Sequence, residues 1–384
     1  MPSNRRYIYI IVGLAGVLLL SIFGCRQTYT PPVLQDNPNL LVVEGIINGV
    51  FGDSTTFTLS RTQKTGDSLG AYTPELQAKV SILSSAGDAF ALQERGNGVY
   101  SIPFFPLNKT ETYQIKIVSH SGSQYLSDPV AIEDSPPIDS LTWQQQDTSN
   151  VIVSIDTHDP ANNSHYYRWF FSETWEYNSG LVGELVLENG LIQFADSTNQ
   201  ISTCWRSDNS TDILLGNSTA LGQDRISQEP IATILRGSQK ISVRYSILVS
   251  QYVLTQAAYQ YWLILQRNTQ NLGTLFDPQP SQLRGNYHSV TNPNEPVIGY
   301  LSAGSITQKR LFIQRYQVSS WDTIAPACPL KNIPQNANYQ VYTFADPTFY
   351  PYYFTTMPAG VELSLKTCLD CRSQGGNTKK PDFW

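Results

Sequence analysis

The stretch "LLVVEGIINGVFGDSTTFTLSR", residues 40–61, decides the fold of the first part of the chain. It contains two short runs, residues 40–48 and 54–61, of which the first is mostly apolar and the second alternates apolar and polar side chains. Alternation with a period of two is typical of a β-strand with one buried face. Between the runs, "NGVFGDS" supplies the Gly, Asn and Asp residues that favour turns. The stretch therefore predicts two strands joined by a turn.

Five further runs of the same kind extend this pattern. They are "AKVSILSS" (78–85), "AFALQE" (89–94), "GVYSIP" (98–103), "TYQIKIVSH" (112–120) and "SQYLSD" (123–128). Seven strands within about 100 residues predict an immunoglobulin-like or fibronectin-like β-sandwich over residues 40–134. Pro136 and Pro137 follow, and proline interrupts strand pairing, so the sandwich is expected to end there.

Residues 138–384 are predicted to form a larger, mainly-β domain with one prominent helix near residues 255–272. The clearest strands of this domain are at 151–156, 165–175, 183–189 and 240–253. Two later runs, "VIGYLSAGS" (297–305) and "KRLFIQRY" (309–316), are predicted to form a strand pair.

The helix is predicted from its caps and its apolar stripe. Thr255 suits the N-cap and Gly273 suits the C-terminal cap. The stripe recurs at helical spacing and consists of Ala258, Tyr261, Trp262 and Leu265. We interpret this stripe as a surface that packs against a sheet, with a ligand-binding face as the alternative.

The chain opens with "MPSNRRYIYIIVGLAGVLLLSIFGC", which has the pattern of a bacterial lipoprotein signal peptide. Arg5 and Arg6 precede an uncharged, mostly apolar run that ends at Gly24 and Cys25. The pattern predicts a signal peptide at residues 1–24 and a lipid on the Cys25 thiol. An uncleaved membrane anchor is the alternative.

The composition of the chain indicates which compartment and which kinds of partner are compatible with it. Residues 25–39 are polar, contain three prolines, and are predicted to be a tether. The 22 tyrosines and the short Val-, Ile- and Thr-rich runs are typical of an extracytoplasmic all-β protein. Charged residues make up only 15% of the chain and the net charge is −6, which argues against nucleic acid as a partner.

Four cysteines follow Cys25, and two of them stand close together in "CLDC". The four are Cys204, Cys328, Cys368 and Cys371. In an oxidising compartment this number indicates two disulfides, and three pairings are possible. A zinc site is one alternative, but the first two cysteines are isolated in the sequence. A thioredoxin-like redox pair is another, but "RSQGGN" follows "CLDC" where a helix is expected.

Catalytic motifs are not recognisable in the sequence: it has no G-x-S-x-G elbow, P-loop or Rossmann fingerprint. Two polar clusters could supply metal ligands, and they consist of Asp156, His158, Asp159 and His165, and of Asp208, Asn209 and Asp212. The first cluster has the composition of a turn between strands. The second lacks the glycine and the distal glutamate of a calcium loop. We therefore predict that the protein is not an enzyme and holds no metal or cofactor.

An aromatic-rich stretch, "FADPTFYPYYFTTMP" (344–358), is the strongest indication of a binding surface. The partner-binding candidates in it are Phe349, Tyr350, Tyr352, Tyr353 and Phe354. If the stretch is a loop, its exposed rings mark an interaction surface. Because Pro351 disfavours a regular central strand, the alternative is an edge strand with half of its rings in the core.

Four motifs of the chain resemble one known family. They are "VVEGIING" (42–49), "CW" (204–205), "GNYHSVTNPNEPVIGYLSAGS" (285–305) and "CLDCRSQGGNTKKPDFW" (368–384). Together they are similar to the Bacteroidota lipoproteins filed as domain of unknown function 4249. The resemblance implies an outer-membrane lipoprotein that is encoded beside TonB-dependent receptors, and hence an outer-membrane β-barrel as the partner. It implies no catalytic residues.

Three functions are compatible with these features. We expect a non-catalytic, lipid-anchored outer-membrane protein that is a binding or accessory subunit of a TonB-dependent transporter or another outer-membrane β-barrel complex. The lipid signal, the β modules and the resemblance favour this function. The alternatives are a secreted-side hydrolase of glycan or peptide, and a structural or adhesive surface lipoprotein. The sequence leaves open whether the protein faces the periplasm or the cell surface.

Overall fold

The computed structural model describes residues 39–50, 52–63, 73–104, 107–146, 149–196, 199–270, 283–321, 327–335 and 347–384. The predicted signal peptide, the lipidation site Cys25 and the first 14 residues of the predicted tether (25–38) lie outside the described residues. Within the described ranges, no helix is both long enough and apolar enough to span a membrane.

The described residues form 25 β-strands and two α-helices. In chain order the strands are β1 (Leu41–Asn48), β2 (Thr55–Arg61), β3 (Thr73–Pro74), β4 (Lys79–Ser84), β5 (Ala89–Ala91), β6 (Gln93–Gly96), β7 (Val99–Ile102), β8 (Tyr113–Val118), β9 (Gln124–Ser127), β10 (Ile132–Glu133), β11 (Ile138–Gln145), β12 (Val151–His158), β13 (Tyr166–Asn178), β14 (Leu185–Glu188), β15 (Leu191–Phe194), β16 (Thr203–Asn209), β17 (Leu214–Asn217), β18 (Arg225–Ile234), β19 (Arg244–Val253), β20 (Tyr287–Ser289), β21 (Ala303–Gly304), β22 (Thr307–Gln314), β23 (Leu330–Pro334), β24 (Phe349–Thr356) and β25 (Ala359–Leu365). The helices are α1 (Gln256–Gln270) and α2 (Lys366–Leu369).

The first sandwich consists of two sheets that share one apolar core. One sheet has the strand order β10-β21-β1-β2-β7-β6, with β3 also paired to β2, and the other has the order β20-β9-β8-β4-β5. Alternate residues of β1 and β2 point into the core, including Leu41, Val43, Phe57 and Leu59. The predicted sandwich is therefore confirmed, and all seven predicted runs are strands. The run at 89–94 divides at Leu92, so that β5 joins one sheet and β6 the other.

The first sandwich also contains a segment from much later in the chain. Strand β20 pairs antiparallel with β9, and β21 lies parallel to both β1 and β10. The predicted pairing of residues 297–305 with 309–316 is wrong, because β21 joins the first sandwich while β22 pairs with β19. Gly304 allows β21 to lie close to β10, because a Cβ at this position would lie 2.1 Å from the carbonyl oxygen of Glu133.

The second sandwich accounts for most of the predicted larger domain. A three-stranded sheet, β11-β12-β18, packs on a five-stranded sheet with the order β16-β13-β19-β22, to which β17 is added beside β13. The two inner faces share one core, to which β12 contributes Val151, Val153 and Ile155, and β13 contributes Tyr167 and Trp169. A side-chain amide lies in this core, since Gln251 on β19 is fully buried.

The Gln251 amide joins three parts of the structure. Its Oε1 accepts a hydrogen bond from Trp169 Nε1 (2.8 Å). Its Nε2 donates to the carbonyl oxygen of Pro136 (2.9 Å) and to Thr157 Oγ1 (3.0 Å). Pro136 lies in the segment that connects the two sandwiches, so one buried side chain links the connection to both sheets of the second sandwich.

Helix α1 begins after Thr255, as predicted. The Thr255 hydroxyl oxygen accepts a hydrogen bond from the backbone N–H of Ala258 (3.2 Å), which is N-cap geometry. Ala258 and Tyr261 are buried, so this part of the apolar stripe packs as expected. Trp262 is only partly buried and faces a groove described below. The predicted C-terminal cap, Gly273, lies outside the described residues.

The C-terminal part is a small sheet, β23-β25-β24, which packs with the β14-β15 hairpin around a core of its own. Two disulfides, Cys204–Cys371 and Cys328–Cys368, link this part to the second sandwich and across itself. This is one of the three pairings that four cysteines allow. Downstream of Cys371, Trp384 Nε1 donates a hydrogen bond to Glu176 Oε2 (2.8 Å), so the tail packs on β13.

Candidate functional site

The main candidate site is a groove between the two sandwiches. It has a volume of about 340 Å³ and is open to solvent. Strands β1 and β2 line one side, and β13, β19 and α1 line the other. The lining residues are Glu44, Gly45, Ile46, Asn48, Ser54, Thr56, Arg168, Phe170, Tyr252, Trp262 and Ile306. A pocket of this size, with apolar walls and a few polar groups, suits a small ligand.

The alternation of side chains along β13 determines which residues line the polar end of the groove. Tyr167 and Trp169 point into the core of the second sandwich, so Arg168 and Phe170 point to the outer face of the same sheet. Arg168 lies directly opposite Tyr252 in the β13-β19 register. Its Nη1 donates a hydrogen bond to Tyr252 Oη at 2.5 Å. The geometry of this end of the groove is therefore set by the register of two neighbouring strands, β13 and β19.

The Arg168 guanidinium is stacked on an aromatic ring. Its central carbon lies 3.4 Å from the centroid of the Trp262 ring and 5.7 Å from that of Tyr252. Such contacts are favourable, and more so when the cation is shielded from water. They fix the plane of the guanidinium without neutralising its charge.

The charge of Arg168 has no acidic partner in the part of the chain that the structure describes. None of the described carboxylates forms an ion pair with Arg168. The nitrogens Arg168 Nε and Trp262 Nε1 are both buried without a hydrogen-bond partner. Unsatisfied buried polar atoms are uncommon in native structures and often mark functional sites. The site can therefore bind an anion.

A second cavity, of about 280 Å³, lies beside β18 and offers no comparable unpaired cation among the described residues. It is lined by Glu173 and Lys240 among others. Lys240 Nζ forms an ion pair with Glu173 Oε1, and Tyr245 Oη donates a hydrogen bond to Glu173 Oε2 at 2.9 Å. Because these groups satisfy one another, this cavity is a weaker candidate than the groove at Arg168.

The predicted partner-binding residues lie on an edge strand and not in a loop. Among the strands that the structure describes, β24 pairs with β25 alone, with a bulge between Pro351 and Tyr353. Phe349, Tyr350, Tyr352 and Tyr353 are half-buried, and only Phe354 is exposed, at 46%. The Phe354 ring contacts Phe194 of β15 at a centroid distance of 5.6 Å, and Phe194 is 69% exposed. Phe344 lies outside the described residues.

The first predicted polar cluster forms a turn, which is the interpretation favoured by the sequence. Asp159 accepts hydrogen bonds from the backbone N–H groups of Ala161, Asn163 and Ser164. Asp224, which is buried, accepts a hydrogen bond from the backbone N–H of Asp159 at 2.7 Å. Among the residues that the structure describes, no three His, Cys, Asp or Glu side chains lie close enough to hold a metal ion.

Asp156 of this cluster ties β12 to its neighbours, and this gives a testable pH dependence. The hydrogen bond from Ser140 Oγ (2.6 Å), helped by those from Gln228 N and Ser227 Oγ, lowers the pKa of Asp156 below its ordinary value of 3.8. A lowered folded-state pKa stabilises the protein above the unfolded pKa, and this contribution is lost as the pH falls through the folded-state pKa.

We therefore expect Asp156→Asn to weaken the pH dependence of stability. The free energy of unfolding in urea should fall less for the variant than for the wild type between about pH 5 and about pH 3. Asp208→Asn, which changes a carboxylate with no comparable set of hydrogen bonds, is the matched control. Equal slopes for Asp156→Asn and the wild type would contradict the assignment.

Sequence reasoning missed the groove. The helical spacing of Trp262 predicts a packed stripe, and Arg168 is one of several polar residues in the run 165–175. A signal was present in that run, because an arginine on a strand otherwise rich in aromatic residues needs a place for its charge. The partner of Arg168 lies 94 positions further along the chain (262 − 168), and no local pattern connects the two.

Fold and site together define the class: a disulfide-linked β protein with two sandwiches and a cationic, aromatic groove between them. The chain belongs to the family described as Domain of unknown function (DUF4249), whose family model matches residues 26–310. The match includes the first sandwich, the groove and the second sandwich as far as the middle of β22. The C-terminal sheet and three of the four disulfide cysteines lie beyond it.

Comparisons outside the family give only distant likenesses. No curated protein sequence matches the chain. A two-domain fibronectin type III segment of chicken tenascin is 11% identical, covers 57% of this chain and 93% of its own, and has a TM-score of 0.16. A chitinase from Bacillus thuringiensis is 13% identical, with coverages of 50% and 28% and a TM-score of 0.15. The adhesin InvE of Yersinia pseudotuberculosis is 12% identical, with coverages of 55% and 56% and a TM-score of 0.15. At these scores none of the three indicates a function for the chain.

Proposed function

We propose that this chain is a non-catalytic binding protein, lipid-anchored at the outer membrane through Cys25, and an accessory subunit of a TonB-dependent transporter or another outer-membrane β-barrel complex. The observation that carries the binding role is the Arg168 guanidinium, which is stacked on Trp262 in an open groove and has no acidic partner among the described residues. A shielded charge without a counter-ion does not stabilise the fold, so its position in the groove favours a role in ligand binding.

The N-terminal sequence supports the membrane location. A lipid on Cys25 would confine the chain to a membrane surface and raise its effective concentration near any membrane partner. The 14 residues from Arg26 to Asn39 would span at most about 45 Å when extended. The first sandwich, which begins at Leu41, would therefore stay close to the bilayer. The choice of a TonB-dependent barrel as the partner comes from the family resemblance.

A surface for the partner is available on the C-terminal part. Phe354 and Phe194 form an exposed aromatic pair, and Leu191 on the same hairpin as Phe194 is also exposed. Exposed aromatic side chains that lie close together are typical anchors of protein interfaces. The described part of the predicted stretch, residues 347–358, thus contributes one exposed ring to a small surface and not a whole aromatic patch.

The test is co-purification from native membranes. We expect an epitope-tagged full chain, solubilised in mild detergent, to recover one β-barrel protein in near-equal amount. The double change Phe194→Ser and Phe354→Ser should lower that recovery at least tenfold, because interface anchors each contribute more than about 1 kcal/mol. Tyr316→Ser removes an aromatic ring that is 84% exposed elsewhere on the second sandwich, and it serves as the matched control.

Two outcomes would count against the proposal. Recovery of the tagged chain alone, unchanged after mild crosslinking, would contradict the proposed membership in a transporter complex. Recovery of the barrel with the Phe194→Ser and Phe354→Ser variant at the wild-type level would place the interface elsewhere. Circular dichroism of each variant would show that the fold is intact.

A further inference from the structure

We infer that the groove at Arg168 binds an organic monocarboxylate with an apolar body. This inference deepens the proposed binding function and rests on it. It assigns a ligand chemistry to a site that is built from both sandwiches and from helix α1. Three features carry the inference: the state of the guanidinium, the apolar walls, and an acidic residue that also lines the groove.

The guanidinium is prepared for an anion. Nη1 already donates to Tyr252 Oη, and Nε is buried. The other terminal nitrogen, Nη2, has no hydrogen-bond partner among the described residues and is not among the buried unpaired atoms. Because the ring of Trp262 fixes the plane of the group, the guanidinium is held in one orientation in the wall of the groove that Arg168 lines. A carboxylate matches the edge of a guanidinium, and charge-assisted hydrogen bonds are the strong ones.

The walls of the groove favour an apolar ligand body. Ile46, Phe170 and Ile306 line it beside the Trp262 ring. Phe170 is 38% exposed although it is a large apolar side chain, and its ring stands edge-on to Tyr252 at a centroid distance of 6.3 Å. A ligand that covers Phe170 would remove this apolar surface from water, which is favourable.

The charge balance of the groove disfavours a dianion. Glu44 on β1 lines the same groove as Arg168, and it is exposed. A ligand with two negative charges, such as inorganic phosphate, would gain one favourable partner and approach one like charge. A single carboxylate can reach Arg168 while its apolar body separates it from Glu44. We therefore expect Glu44 to favour a monocarboxylate over a phosphate.

The experiment reads binding at the site itself. The full chain, purified with its disulfides intact, is labelled with ¹⁵N-tryptophan, so that each of its seven tryptophans gives one indole signal. The Trp262 signal is assigned by its absence from Trp262→Phe. Acetate, hexanoate and phenylacetate are titrated, together with phenylacetamide and inorganic phosphate. We expect phenylacetate and hexanoate to shift the Trp262 signal in a saturable way, with acetate weaker.

Two arginine variants make the test specific. Arg168→Gln should weaken phenylacetate binding roughly tenfold to hundredfold, the loss expected for one charge-assisted pair. Arg310→Gln is the matched control and should bind as the wild type does. Arg310 lies on the same sheet, stacks on Phe383 at 3.7 Å and donates to Ser246 Oγ, but it does not line the groove.

The possible failures are distinguishable. A Trp262 signal that moves with none of the carboxylates, or equally with phenylacetamide or phosphate, would overturn the carboxylate site. The same holds if Arg168→Gln binds phenylacetate as tightly as the wild type. Recovery of a β-barrel in the co-purification would still support the proposed function in each of these cases. Carboxylate binding without any co-purified barrel would support the binding site and argue against the proposed role in a transporter complex.

Discussion

Replacing both Cys204 and Cys371 with alanine is expected to lower the free energy of unfolding by about 5 kcal/mol. The two residues are 167 positions apart, so their disulfide closes a long loop in the unfolded chain. In the chain-entropy account, stabilisation grows with the logarithm of loop length. Both cysteines are fully buried, so the change also removes packed atoms from the core.

The matched control is the removal of the other disulfide. Cys328 and Cys368 are 40 positions apart, and the same relation gives about 4 kcal/mol for their loss. Urea unfolding monitored by tryptophan fluorescence measures both variants. Limited proteolysis should also cleave the region after residue 371 faster in the first variant, because Cys371 holds the tail to β16. A larger loss for the Cys328–Cys368 variant would contradict the expected order.

The second large effect is expected for Gln251→Leu, which should cost about 3 kcal/mol. Leucine fills a similar volume but cannot accept the hydrogen bond from Trp169 Nε1, and the indole N–H is then buried without a partner. The two hydrogen bonds donated by Gln251 Nε2 are lost as well. An unsatisfied buried donor costs about 1–3 kcal/mol, and each lost hydrogen bond adds about 1 kcal/mol.

Gln308→Leu is the control for this change. Gln308 Nε2 donates to Ser250 Oγ at 3.0 Å on the neighbouring strand, but Gln308 is exposed. Its substitution should therefore stay within about 0.5 kcal/mol of the wild type. Urea unfolding again provides the measurement. If Gln251→Leu costs less than about 1 kcal/mol, the amide is not the link between Pro136 and the core that its contacts indicate.

The strands of the first sandwich were predictable because the information for them is local. The apolar run of β1, the alternation of apolar and polar residues in β2 and the intervening turn residues lie within 22 positions. The short apolar run within 309–316 also predicts a strand, but it does not say which strand is its neighbour. Pairing of β21 with β1 joins residues more than 250 positions apart, and turn chemistry cannot specify such a contact.

The candidate site was unpredictable for the same reason. Arg168 belongs to a strand, Trp262 to a helix and Glu44 to the other sandwich. Each was consistent with an ordinary structural role when taken alone. Their common groove results from the register of β13 with β19 and from the way α1 packs on them. The aromatic stretch around residue 350 shows the converse: a conspicuous local composition, most of which the structure uses for packing.

The return of the chain to the first sandwich has a consequence for the order of biogenesis. During synthesis from the N-terminus, β1 and β10 emerge early, but the strand between them, β21, is among the later ones. Until residue 304 has been synthesised, the outer edge of β1 carries unpaired backbone groups next to apolar side chains. Such an edge is prone to join strands of other chains. The N-terminal sandwich therefore cannot close until most of the second sandwich has been synthesised, and its open edge is exposed to other chains during that interval.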